Sequence, residues 1–157
     1  MKKILLLILC IGVMILLAGC GKDEILKTYN AAIRTISYLD LSGESSLEGE
    51  RVFAGDGFTG SYAAQYEDFT GEERILGGAF IERPEGKRVI VTCTMTAESG
   101  VGRLFWQCGT ADPAILLEAP GTLVQTVELP EASSVFGVRL KNFTGTVRLK
   151  IENAASE

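Results

Sequence analysis

The sequence contains no histidine. Histidine is the commonest general base near neutral pH and the commonest protein ligand of transition metals. Its absence excludes Ser-His-Asp triads, Cys-His dyads and the usual zinc hydrolase sites. No glycine-rich phosphate loop is present either. The sequence therefore disfavours a small hydrolase and predicts a non-catalytic protein that needs no cofactor.

Positive charge is scarce. The chain has 15 lysines and arginines against 20 acidic residues, a formal net charge of -5, and two of the lysines, Lys2 and Lys3, stand at the N-terminus. Binding to nucleic acid requires a basic stripe that neutralises phosphates, and binding to anionic lipid requires a polybasic cluster. The composition predicts neither kind of partner.

A long apolar run occurs only once, from Ile4 to Gly19, directly after Met1-Lys2-Lys3. The run is shorter than the roughly 20 residues that cross a bilayer core. A basic start, a short apolar stretch and small residues at its end are typical of a signal peptide, which we assign to residues 1–19. The alternative is an uncleaved anchor helix.

The end of this run, Leu17-Ala18-Gly19-Cys20, resembles the lipobox of bacterial lipoproteins. The resemblance implies that a diacylglyceryl group is attached to the sulfur of Cys20 and that cleavage occurs between Gly19 and Cys20. Acyl chains such as palmitate would then hold the protein in the cell membrane, on its extracytoplasmic face, because two chains anchor a protein durably where one is marginal.

Residues 20–46 are predicted to form the lipidated N-terminus, a helical spacer and a linker. Apolar residues recur at three- and four-residue spacing over 23–41, the pattern of an amphipathic helix. This helix either packs on the following domain or lies on the membrane. Ser42 to Ser46, "SGESS", is the linker.

Residues 47–157 change to short runs with alternating polarity, separated by glycine, proline and acidic turns. The runs are "TGSYAAQYEDF", "ERILGGAFI", "RVIVTCTMTA", "RLFWQCG", "AILLE", "TLVQTVEL", "SVFGVRLK" and "GTVRLKIE". About eight strands, each with one apolar face, predict an all-β antiparallel sandwich. A jelly-roll-like arrangement is the first expectation and an immunoglobulin-like one the second.

The succession of "GSYAAQYEDFTGEERILGG", a threonine-rich strand and "SSVFGVRLKNFTGTVRLKIE" resembles galactose-binding-like and carbohydrate-binding-module sandwiches. The resemblance implies a non-catalytic binding module for a glycan or another cell-envelope component. A structural or accessory subunit that docks on another envelope protein is the alternative.

Two cysteines, Cys93 and Cys108, remain after Cys10 is removed with the signal and Cys20 is lipidated. A hairpin with Gly100-Val101 as its loop would place them directly opposite each other, and an exported protein permits a disulfide. However, the pair would occupy a hydrogen-bonded position of the ladder, which is not the easiest geometry for a cross-strand disulfide. A disulfide and two free core thiols both remain open.

Sugar-binding modules commonly stack exposed aromatic rings on sugar rings. Alternation places Tyr62, Tyr66 and Trp106 on apolar faces, so these three are predicted to pack in the core. Phe105 shares its face with the polar Arg103 and Gln107, which makes it the candidate ligand-binding aromatic.

Two acidic pairs, Glu67-Asp68 and Glu72-Glu73, flank "FTG". Clustered carboxylates are the ligands that calcium prefers, but no EF-hand spacing is present. We therefore predict a solvated turn and no metal.

Overall fold

The computed structural model describes residues 47–78 and 86–155. The predicted signal peptide, Cys20, the helical spacer and the linker lie outside the described residues. Within the described ranges, no helix is long and apolar enough to cross a membrane.

The described part is all-β, and every strand pairing in it is antiparallel. The strands are β1 (Glu50–Phe53), β2 (Gly60–Gly78), β3 (Arg88–Cys108), β4 (Ala114–Glu118), β5 (Gly121–Glu128) and β6 (Ser134–Asn153). Their order in the sheet is β1-β2-β6-β3-β4, and β5 also pairs with β3. The all-β antiparallel prediction is confirmed.

The eight predicted strands reduce to five because three pairs of them are continuous, and β1, which was not among the predicted runs, is the sixth. "TGSYAAQYEDF" and "ERILGG" join in β2, "RVIVTCTMTA" and "RLFWQC" in β3, and the last two runs in β6. Each long strand is interrupted by a register shift or a twisted residue near its middle, and this breaks the alternation that marks a strand in the sequence.

One residue in each long strand adopts a left-handed backbone at this break: Asp68 in β2, Gly100 in β3 and Asn142 in β6. The break is held by side chains, since Thr70 Oγ1 accepts a hydrogen bond from Asn142 N at 2.8 Å. A Cβ at Gly100 would collide with the carbonyl oxygen of Asn142, so β3 approaches β6 there as only glycine allows. The three strands bend together at one place.

The bend divides the sheet into two layers. The first layer contains β1, β5 and residues 60–66, 88–97 and 145–153 of the long strands. The second layer contains β4 and residues 69–78, 101–108 and 134–143. A Cβ at Gly102 in the second layer would lie 2.9 Å from Met95 Cε in the first, which shows how closely the layers face each other.

One apolar core lies between the layers, and both supply it. Alternation places every second residue of each strand on the core side, as the sequence pattern predicted for β3 and β6. The buried apolar residues of this core include Val89, Val91, Cys93, Met95, Leu104, Phe136, Val138, Phe143, Val147, Leu149 and Ile151.

Candidate functional site

A buried polar cluster lies inside the core, formed by Tyr62, Tyr66 and Glu73 of β2. Glu73 Oε2 accepts hydrogen bonds from Tyr62 Oη at 2.6 Å and from Tyr66 Oη at 2.5 Å, and the two phenol oxygens are 2.8 Å apart. Glu73 Oε1 accepts a hydrogen bond from Glu48 N at 2.8 Å. All three side chains are almost fully buried, at 1–2% exposure.

The bend in β2 creates this cluster. Tyr62 and Tyr66 precede the left-handed Asp68 and belong to the first layer, whereas Glu73 follows it and belongs to the second. The strand therefore folds back so that its own carboxylate meets its own phenols across the core. A straight strand would hold these groups far apart.

Burial raises the pKa of both Tyr62 and Tyr66, and the hydrogen bond to Glu73 raises each further. Both phenols therefore keep their protons and act as donors to the carboxylate. Because Glu73 is closed to solvent, the cluster has no access to a substrate. Its role in the described structure is to satisfy a buried carboxylate and to fix the fold of β2.

The sequence interpretation of the acidic pairs was only partly right. Glu67 and Asp68 are exposed at the bend, as predicted for a turn. Glu72 and Glu73, however, lie within β2: Glu72 binds Arg139, and Glu73 is buried. The sequence did contain a signal for the burial of Glu73. Side chains two residues apart in a strand point to the same face, so Glu73 lies on the same side as Ile75, which is the core side. Among the described residues, no group of three acidic or cysteine side chains is arranged to hold a metal.

Phe105 does lie beside Arg103 on the side of the sheet that faces away from the core, but it is not exposed. Its exposure is 0%. A Cβ at Gly137 of β6 would lie 2.6 Å from Phe105 Cζ, so the ring rests on glycine backbone. The guanidinium carbon of Arg139 lies 5.7 Å from the ring centroid. The prediction of an exposed, ligand-stacking Phe105 is therefore wrong, because a glycine beneath it and an arginine beside it help enclose the ring.

The other aromatic predictions are confirmed. Tyr62 and Tyr66 are buried, and Trp106 is half-buried against the core, where its ring stacks on Phe136 at 6.0 Å between centroids and 10° between planes. Trp106 Nε1 is buried and has no hydrogen-bond partner in the structure. In the described ranges, no large aromatic side chain stands fully exposed as a stacking platform.

Cys93 and Cys108 are both free thiols. The hairpin that would have brought them together does not form, since both belong to the single strand β3 and Gly100-Val101 is its bend rather than a loop. Cys93 lies opposite Leu123 and Leu149, whereas Cys108 lies opposite Ser134. Of the two alternatives that the sequence left open, the structure contradicts the disulfide and agrees with two free thiols.

The outer side of the first layer carries a polar surface that we call the threonine face. It consists of Thr92, Thr94, Thr96, Thr122, Thr126, Thr146, Arg148 and Lys150. These residues alternate with core residues on three adjacent strands, β5, β3 and β6. Sheet geometry spaces them at about 4.8 Å across strands and about 6.7 Å along a strand.

The register aligns this face in rows. Thr94 lies opposite Thr122 on one side and Arg148 on the other, and Thr92 lies opposite Lys150. Thr96 Oγ1 and Thr146 Oγ1 are 2.8 Å apart, and Thr122 Oγ1 donates to Thr94 Oγ1 at 3.4 Å. A threonine hydroxyl has one proton and two lone pairs, so these contacts leave hydrogen-bonding capacity over.

The outer side of the second layer differs, because its charges bind each other. Glu72, Arg139, Arg103 and Glu118 form one row across four strands. Arg139 binds Glu72 at 2.7 Å and Arg103 binds Glu118 at 2.8 Å. The arginines of the second layer are already paired. On the threonine face Lys150 is also paired, with Glu152 at 2.8 Å, whereas no ion pair is found for Arg148 among the described residues. Arg148 and the threonine hydroxyls therefore make the threonine face the better candidate for binding a ligand.

Comparison with known proteins identifies no family. No family model matches the chain, and no curated protein matches it. Among solved structures, the chain is similar to the C-terminal CBM6 of LamC, a marine laminarinase from Zobellia galactanivorans, at 11% identity, over 68% of this chain and 91% of that one. The TM-score is 0.27, and a likeness of this size carries no argument about function.

Proposed function

We propose that the protein is a membrane-anchored extracytoplasmic lipoprotein, attached through Cys20, whose β domain is a non-catalytic binding module for a glycan or a related cell-envelope polymer. The observation that carries the binding role is the threonine face. Repeated hydroxyls with unused hydrogen-bonding capacity suit a polyhydroxylated chain, and Arg148 adds positive charge for anionic groups on it.

Binding of this kind relies on hydrogen bonds and charge rather than on ring stacking. The aromatic side chains in the described ranges support the core, and Phe105 is enclosed. The ligand that fits best is therefore an anionic envelope polysaccharide, whose carboxylate or phosphate groups could meet Arg148 while its hydroxyls meet the threonines.

Substitutions on the threonine face test the binding role. The full chain is measured against a glycan array and against anionic polysaccharide fractions of bacterial envelopes. We expect Arg148→Gln to weaken binding at least about tenfold and Thr96→Val about fivefold, since a hydrogen bond to a charged group contributes about 1.5–3 kcal/mol and one between neutral groups about 1 kcal/mol. Lys141→Gln and Thr110→Val are matched controls, because both residues are exposed and lie off the face. Equal binding by all four variants would contradict the proposal.

The anchor is tested separately by intact-mass analysis of the protein purified from membranes. The expected species begins at Cys20 and carries the mass of a diacylglyceryl group and its acyl chains. Cys20→Ser is expected to abolish both the added mass and the cleavage. A wild-type chain that begins at Met1, or that begins at Cys20 without added mass, would contradict the anchor.

The second candidate function, docking on another envelope protein, is favoured by two exposed apolar side chains. Val52 is 54% exposed and Val124 is 69% exposed. They lie at the two ends of one row that crosses the first layer through Thr92, Lys150 and Ser61. Apolar side chains at the rim suit a protein surface better than a polysaccharide. Val52→Ser would weaken binding to such a partner and leave binding to polysaccharide unchanged.

A further inference from the structure

The outer edge of β5 carries backbone groups that pair with no other strand of the described ranges. Leu129 N donates to Lys87 O, so these two residues form a hydrogen-bonded pair. Such pairs recur at every second residue of an antiparallel ladder. The residues of β5 whose backbones bond β3 are therefore Val127, Gln125, Leu123 and Gly121. The alternate residues therefore direct their N–H and C=O groups away from β3. These residues are Thr122, Val124, Thr126 and Glu128, and no strand in the described ranges pairs with them.

Apart from the charge of Glu128 at its last residue, this edge lacks the features by which proteins block unwanted strand pairing, such as short length, proline, lysine or a bulge. β5 is eight residues long, contains neither proline nor lysine, and has no register shift against β3. Val124, Gln125 and Thr126 at its centre are exposed, with Val124 at 69%.

The other edges in the described region are protected. β1 has four residues, and β4 has five and is followed by Pro120. The second half of β2 carries the exposed charge of Arg74 and a register shift between Arg74 and Leu76, and its Ile75 carbonyl accepts a hydrogen bond from Arg51 Nη1 at 3.2 Å. Only β5 presents a long, regular edge in this part of the chain.

We propose that β5 pairs antiparallel with β5 of a second copy of this chain. The first layer of one copy and the first layer of the other would then form one continuous sheet. The β5 sequence selects one symmetric register, in which Gln125 lies opposite Gln125 of the second copy. Thr122 then lies opposite Glu128 and Val124 opposite Thr126, and all four outward N–H groups and all four outward C=O groups of each edge find partners.

Proline excludes the two neighbouring symmetric registers, because it has no N–H to donate. A pairing centred on Val124 would set Glu128 opposite Pro120, and one centred on Thr126 would set Thr122 opposite Pro130. In the Gln125 register, the only charged residue of the strand, Glu128, faces a threonine, so no like charges oppose each other. This self-complementarity is why a second copy, rather than an unrelated strand, is the occupant.

The pairing would also extend the threonine face. Thr122 and Thr126 border the edge, so two copies would present their faces side by side as one longer surface. A long polymer could then contact both copies at once, which raises its overall affinity without new contacts. The pairing itself does not depend on the proposed function, because it rests on backbone groups rather than on the ligand-binding side chains.

Disulfide cross-linking of the purified full chain tests the register. Two Gln125 residues would form a non-hydrogen-bonded pair with Cα atoms about 4.5 Å apart, within the range that a disulfide spans. We expect Gln125→Cys to yield mostly cross-linked dimer under mild oxidation on non-reducing gels. Gln65→Cys, an exposed position on β2, is the matched control, and wild type measures the background from Cys93 and Cys108.

A second variant separates edge pairing from random collision. Adding Val124→Lys and Thr126→Lys to Gln125→Cys places lysines opposite each other across the proposed junction, and we expect the cross-linked fraction to fall to the Gln65→Cys level while far-UV circular dichroism stays unchanged. The proposal is overturned if Gln125→Cys does not exceed the control, if the lysines have no effect on it, or if Val124→Cys cross-links better than Gln125→Cys.

Discussion

At the scale of single residues, Glu73 shows how one buried group organises its surroundings. A carboxylate without a cation beside it is costly to bury unless hydrogen bonds satisfy it. Here two phenols and one backbone N–H do so. The donors come from the first layer and from the segment before β1, whereas the acceptor belongs to the second layer, so the cluster links three parts of the fold.

Removal of this acceptor is expected to destabilise the protein strongly. Glu73→Ala would leave the N–H of Glu48 and one of the two phenols without an acceptor in a buried site, since the other phenol can donate to its neighbour. Each unsatisfied group costs about 1–3 kcal/mol. We expect the free energy of unfolding, measured by urea titration, to fall by at least about 2 kcal/mol. Glu72→Ala is the matched control, because its carboxylate is on the surface, and should change stability by less than about 1 kcal/mol. Equal losses for the two variants would contradict the role given to Glu73.

We expect the buried phenols of Tyr62 and Tyr66 to make the protein less stable at alkaline pH. Folding raises the pKa of Tyr62 and Tyr66 above the value of about 10 that the unfolded chain has. A phenol that holds its proton more tightly when folded contributes stability that is fully present below pH about 10 and is lost as the pH rises through the folded pKa. Tyrosinate absorbance should therefore appear for these residues only together with unfolding. The Tyr62→Phe, Tyr66→Phe double variant should lose less stability than wild type between pH 9 and pH 11; an equal loss would refute this origin.

At the scale of the elements, the bend in β2, β3 and β6 decides the architecture. Three strands of about 20 residues would form a flat sheet with one face unprotected if they stayed straight. Because Asp68, Gly100 and Asn142 turn at the same level, each strand supplies both layers. The connection between the layers is therefore the strands themselves rather than loops.

Gly100 is the position where this bend tolerates a side chain least. Its φ of 76° is left-handed, and an added Cβ would meet the backbone of Asn142. We expect Gly100→Ala to lower the free energy of unfolding by more than about 1 kcal/mol, the typical cost of a left-handed residue other than glycine. Gly55→Ala is the control, since nothing lies within 4 Å of a Cβ there. If the two variants have the same denaturant midpoint, the bend does not require glycine.

At the scale of the whole described domain, the two layers are expected to unfold as one unit. β2, β3 and β6 pass through both layers, and a single core joins them. A substitution in either layer should therefore destabilise both. Val91→Ala in the first layer and Leu104→Ala in the second should each lower stability by about 2–4 kcal/mol, the range for deletion of a large buried aliphatic group.

The measurement compares two probes of unfolding. Fluorescence of Trp106, which belongs to the second layer, should report the same transition as far-UV circular dichroism, which reports both layers. In the Val91→Ala variant the two curves should shift together and stay superimposed. Separate transitions in that variant would show that the layers fold independently.

The sequence by itself determined the all-β class, the antiparallel pairing and the core positions of Tyr62, Tyr66 and Trp106. These features follow from the alternation of polar and apolar residues along each strand, which is a property of residues that are neighbours in the sequence. The lipobox prediction for Cys20 is local in the same way, and it stays a prediction because that residue lies outside the described structure.

The tertiary structure alone decided three other features: that Cys93 and Cys108 share one strand, that Phe105 is enclosed, and that Glu73 is satisfied in the core. Each depends on contacts between residues far apart in sequence: Gly100 against Asn142, Phe105 against Gly137, and Glu73 against the backbone of Glu48. A break in alternation looks the same in a sequence whether the chain reverses in a hairpin or bends and continues. Only pairing with β6 on both sides of Gly100 makes it a bend, and that pairing is a property of the folded chain.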